Sequence, residues 1–102
     1  MKPSEALEKH RETIREILSR YPVSNPRVFG SVARGEDTEE SDLDILVDLK
    51  RKSEREASFT LFDLARIELS LEELLGVGVD IRLDSSERTR FGKRIARGAQ
   101  PL

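Results

Sequence analysis

Apolar residues fall along this chain in two rhythms. From Ser4 to Tyr21 they recur at helical spacing (Leu7, Ile14, Ile17, Leu18, Tyr21), with Glu8, Lys9, Arg11, Glu12, Arg15 and Glu16 on the outer face. Ser4 is positioned to cap this helix, and Pro22 and Pro26 end it and form the loop into a first strand. That strand closes on Arg27-Val28-Phe29. A second begins near Asp42, where alternation sends Leu43, Ile45, Val47 and Leu49 to one face. The pattern returns to helical period from a Ser53/Glu56 capping box to Leu75, stopped by Gly76. Leu61, Leu64, Ala65, Leu71 and Leu75 suffice there as a packing stripe. Phe62, Ile67 and Leu69 lie off it, so the apolar arc is wider than a half-buried helix needs. Deep burial and contact with another chain both account for that width.

Val77 to Leu83 alternates again as a third strand, with Asp80 and Arg82 turned away from the core. A last helix runs from a cap at Asp84, Ser85 or Ser86 to about Arg97, with Phe91 and Ile95 as its apolar pair. Arg88, Arg90, Lys93, Arg94 and Arg97 make it basic. That charge complements the helix dipole, or it docks phosphates or an acidic partner. The expected order is α-β-α-β-α-β-α, an α/β fold with a small mixed sheet flanked by helices.

Composition narrows the class. The 102 residues form one domain, residues 1–102, divided as an N-terminal helix and loop (1–26), a core (27–84) and a C-terminal helix and tail (85–102). A formal charge of −2 offers no general attraction to nucleic acid or anionic membrane. There are no cysteines, hence no disulfides or thiolate metal sites, and no apolar run of signal-peptide or transmembrane type. A cytoplasmic protein is expected. His10, the sole histidine, has no companion at metal spacing and reads as surface or packing. Lys50 to Arg55 is basic without interleaved aromatic residues and reads as a solvated loop. Gly76-Val77-Gly78 lacks dinucleotide-binding spacing.

The chemistry lies between the first two strands, in Gly30 to Asp44 (GSVARGEDTEESDLD). Gly30 allows close backbone approach, following amides can hold a phosphate, Ser31 adds a hydroxyl and Arg34 a guanidinium fork. Asp42 and Asp44 share one strand face, about 6–7 Å apart. Their repulsion is relieved by a divalent cation, and hard oxygen ligands suit magnesium carried by a triphosphate. Ser41 either orients Asp42 or caps the turn. The acidic loop 36–40 reads as a solvated connection and Asp48, at the far end of the strand, as exposed.

Gly-Ser, ten residues, then Asp-x-Asp resembles the signature of the DNA polymerase beta nucleotidyltransferase superfamily. The fuller GSVARG…SDLDILV resembles its smallest branch, the minimal nucleotidyltransferases, many of them antitoxins paired with HEPN-domain toxins. The resemblance implies the minimal polymerase-beta-like fold. It also implies a third carboxylate from the neighbouring strand, Asp80, which otherwise reads as a salt-bridge partner of Arg82 or Arg34. Asp42, Asp44 and Asp80 would then bind two Mg2+ ions, with Asp80 accepting the proton of the attacking hydroxyl. Gly30, Ser31 and Arg34 would hold ATP. By the same resemblance the acceptor is a tyrosine hydroxyl of a HEPN ribonuclease toxin, silenced by AMP in a hetero-oligomeric complex; a homo-oligomer is also open. A binding-only antitoxin and a small-molecule nucleotidyltransferase are the competing expectations.

Overall fold

A computed structural model of the protein describes residues 1–49, 61–84 and 89–102. Its elements, in chain order, are α1 (Pro3–Ser19), β1 (Val23–Phe29), α2 (Gly30–Arg34), β2 (Leu43–Leu49), α3 (Leu61–Leu75), β3 (Val79–Leu83), α4 (Arg90–Gly98) and β4 (Gln100–Pro101). The four strands make one mixed sheet in the order β3-β2-β1-β4. β1 runs antiparallel to β2 and β4, and β2 runs parallel to β3. The expected small mixed sheet flanked by helices is present, with one strand more than the alternation showed.

Period-two burial explains the strands. Leu43, Ile45 and Val47 of β2, Val79 and Ile81 of β3 and Val28 of β1 point to one face and are buried. α1 supplies Ala6, Leu7, Ile14 and Leu18 to that face, and α3 supplies Leu64, Ile67, Leu71 and Leu75. Each leucine, isoleucine or valine among them contributes about 1.5–3 kcal/mol when fully removed from water. The other face carries Asp44 and Asp80, with α4 lining the cavity beside them.

Several local expectations need correction. α1 begins at Pro3 with Lys2 as its N-cap. Ser4 does not cap it; its amide instead donates to the Asp37 carboxylate at 2.9 Å, so the loop after α2 caps the helix from 33 residues away. Pro26 lies inside β1, not in a loop before it. The ladder to β2 shifts register between Ser24 and Arg27, and Asn25 has a φ of 52°. Pro26 thus sits where its missing N–H costs no ladder bond. In α3 Leu64, Leu71 and Leu75 are buried as expected, Ile67 is wholly buried and Ala65 is exposed, while the Leu61 side chain lies outside what the structure describes. The residues left outside are Phe62, 80 % exposed, and Leu69, 62 % exposed. α4 starts later than expected and is capped by Thr89, whose Oγ1 accepts the Gly92 amide at 2.8 Å. Asp84 pairs with Arg27 at 2.9 Å.

The tail is part of the sheet. Arg27 and Val28 pair with Pro101 and Gln100, and Leu102 is 3 % exposed in the core. The Leu102 amide donates to the Pro26 carbonyl at 3.0 Å. Its main-chain oxygen accepts from Arg11 at 2.5 Å and Arg15 at 2.6 Å. The readings placed on residues 50–60 and 85–88 (the basic loop, the Ser53/Glu56 capping box, Ser85, Ser86 and Arg88) lie outside the described residues. Among the described residues no helix is long and apolar enough to cross a membrane.

Candidate active site

β1 ends at Phe29, whose cross-strand partner is Asp44. The chain then turns at Gly30, with a φ of +73°, into the five residues of α2. A side chain at Gly30 would be strained by that backbone and would also strike Asp44, whose Cγ lies 3.2 Å from where a Cβ would stand. Gly30 therefore serves the turn and the carboxylate together.

Asp42 immediately precedes β2, and Asp44 is its second residue. The parallel ladder puts Asp44 directly beside Asp80, on strands about 4.8 Å apart. Asp42 is seated by Gly78, since a Cβ there would lie 3.0 Å from the Asp42 Cγ and overlap its carboxylate. The Leu43 amide donates to the Gly78 carbonyl at 2.8 Å, which fixes that approach. The start of β2 and the entry to β3 thus interlock, with room for one carboxylate against each glycine.

The electrostatics show the crowding. Burial pushes the Asp44 carboxyl above the usual aspartate range, and Asp80 and Asp42 push it further. Arg82 and Arg34 act in the opposite direction. Asp80 pairs with Arg82 at 3.1 Å, so both readings of Asp80 find support: salt-bridge partner and neighbour of the first pair. Among the described residues no three carboxylate or imidazole side chains close around a point that a cation could occupy.

Gly30, Arg34, Asp44 and Asp80 line one cavity of about 440 Å³, within the range of small-molecule sites. Arg82, Phe29 and one face of α4 complete it. Asp42 and Ser31 lie beside the cavity, outside its lining. Arg34 is exposed and paired with Glu36 at 3.0 Å. Ser41 caps the turn, its Oγ accepting the Thr38 amide at 2.9 Å. Asp48 belongs to a structural pair, accepting from Arg27 at 2.5 Å.

Sequence reasoning missed Gly78 and Glu68. Gly78 was legible only as a glycine before a strand, because its role depends on which strand lies beside it. Arg94, one of the basic residues open to either a dipole or a phosphate-docking role, lines the cavity. Glu68 of α3 is half-buried; burial raises its carboxyl, Asp80 and Glu72 add to the rise, and a hydrogen bond with the Ile81 main chain opposes it.

Comparison with known proteins gives one consistent result. Residues 7–100 match the family model described as a nucleotidyltransferase domain. A Thermococcus cleftensis protein named protein adenylyltransferase MntA is 38% identical over 83 residues, covering 81% of this chain and 78% of that protein. A Methanocaldococcus jannaschii protein provisionally named a protein adenylyltransferase is 38% identical over 90 residues, covering 88% and 83%. A solved structure provisionally identified as a minimal nucleotidyltransferase superposes with a TM-score of 0.78 at 42% identity, covering 97% of this chain and 95% of that one.

Proposed function

This chain belongs to the nucleotidyltransferase domain family and is a nucleotidyltransferase enzyme, and on that premise we propose that it moves AMP from Mg-ATP to a tyrosine hydroxyl of a partner protein, a HEPN ribonuclease toxin, and so neutralises it. The observation that carries the reading is the in-register placement of Asp44 beside Asp80, with Asp42 and Gly30 adjoining. The adenylyl donor and protein acceptor follow the names of the relatives; the HEPN partner and its tyrosine follow the motif resemblance.

The donor set fits magnesium. Asp42, Asp44 and Asp80 are hard oxygen ligands, and Asp44 is destabilised by the like charges beside it until a cation joins them. When bound, such ions neutralise the charge developing on the attacking and leaving oxygens. Gly30 and Ser31 present main-chain amides, and Arg34 a guanidinium, to the triphosphate. Asp80, once released from Arg82, accepts the proton of the attacking hydroxyl. The tyrosine oxygen forms a bond to the α-phosphorus, the bond from that phosphorus to the β-bridging oxygen breaks, and pyrophosphate leaves. Phe62 and Leu69 on the outside of α3 are the apolar contacts available to the partner.

Co-expression with the chromosomal neighbour, followed by intact mass measurement of both chains, tests this. One or more AMP-sized additions on the neighbour, absent with Asp42→Asn/Asp44→Asn, are expected. An unmodified neighbour held in a stable, inactive complex would make binding alone the mechanism.

A further inference from the structure

We propose that Phe91 receives the nucleobase, so that α4 supplies the base-binding wall of the site; this rests on the nucleotide reading above. One stripe of α4 lines the cavity: Phe91, Arg94, Ile95 and Gly98, at positions i, i+3, i+4 and i+7. At roughly 1.5 Å per residue that wall is about 10 Å long, the scale of a nucleotide. Arg94 lies mid-stripe, while Phe91 and Ile95 make the remainder apolar. Gly30 and Arg34 line the same cavity, so polar groups suited to phosphate share it with an aromatic and aliphatic surface suited to a base.

Phe91 is 57 % exposed, although it is the largest apolar side chain of its helix. The Arg82 guanidinium lies 5.7 Å from the ring centroid, and Arg82 is tethered to Asp80 at 3.1 Å. Thr89 caps the helix start two residues earlier. An exposed ring with a cation over it, in the wall of a cavity that two carboxylates also line, is a stacking platform for a flat ligand. Stacking reads the π-face that every base has, so it adds affinity rather than a choice among bases.

Calorimetric titration of the full chain with Mg-ATP and, separately, with magnesium tripolyphosphate tests the assignment, because the second probe has no base. No acceptor is in the cell, so any loss is a loss of nucleotide contact. Phe91→Ala should weaken Mg-ATP roughly 5- to 150-fold and leave tripolyphosphate within about twofold. Phe91→Leu, which keeps apolar bulk without a ring, should behave like Phe91→Ala, and Phe91→Tyr should restore ATP binding. Arg94→Ala should weaken both probes. Equal effects of Phe91→Ala on both probes, no effect on either, or equal affinity of the unmodified chain for the two would overturn the role of Phe91. If the unmodified chain binds neither probe, the nucleotide reading itself fails.

Discussion

Gly30 and Gly78 occupy positions where any side chain displaces a carboxylate, by two different routes. At Gly30 the backbone is left-handed as well as crowded; at Gly78 only the crowding applies. Gly30→Ala should therefore cost about 1–2 kcal/mol of stability in addition to activity. Gly78→Ala should act mainly on turnover, lowering kcat on the order of 100-fold by shifting Asp42 about 1 Å. Thermal melts beside transfer assays separate the two. Asp44→Asn should do the reverse: it removes a half-buried charge crowded by Asp80 and Asp42, so it should raise the melting temperature of the metal-free protein while abolishing transfer. The cradle of Gly30, Ser31 and Arg34 and the pair Asp42 and Asp44 were legible because they lie in one local stretch with fixed spacing. Gly78 and Glu68 were not, because their significance comes from the parallel register of β2 with β3, which no local pattern encodes.

Among the elements, the helices and three longer strands follow from periodicity, while the joints between them do not. Asp37 was legible as a polar loop residue, yet it accepts the Ser4 amide, and that hydrogen bond holds its carboxyl below the usual aspartate range. A lowered carboxyl stabilises the folded chain above the unfolded value and ceases to do so as pH falls through the folded one. Asp37→Ala should thus lower stability near pH 7 by at most about 1 kcal/mol, exposure keeping the effect small. The deficit should shrink as pH drops below about 4. Denaturant melts of both proteins at several pH values measure it. β4 was hidden for another reason: two residues carry no alternation. Its anchor is the burial of Leu102, and Leu102→Ala should cost about 2–5 kcal/mol in the same assay.

At the scale of the molecule the sheet divides labour between its faces. Aliphatic residues of α1 and α3 close one face into a core; the other carries Asp44, Asp80 and Arg82, which line a cavity with α4. Stability and chemistry therefore respond to different substitutions. Phe62→Asp with Leu69→Asp, both on exposed positions of α3, should leave folding within about 0.5 kcal/mol and weaken capture of the co-expressed partner in a pull-down. The fold class was legible because hydrophobic alternation and helical period agree with it throughout. The pairing of β3 beside β2 was legible only through resemblance, and the rest of the sheet order not at all, since pairing is a long-range property.

The central claim is that the carboxylates at the start of β2 transfer a nucleotidyl group. The most direct test supplies the chain and its co-expressed partner with ATP labelled on the α-phosphate or, separately, on the γ-phosphate. Label from the α position should become covalently attached to the partner, label from the γ position should leave as pyrophosphate, and Asp42→Asn/Asp44→Asn should abolish both. Attachment of γ label, or equal attachment of α label by the double variant, would contradict the account.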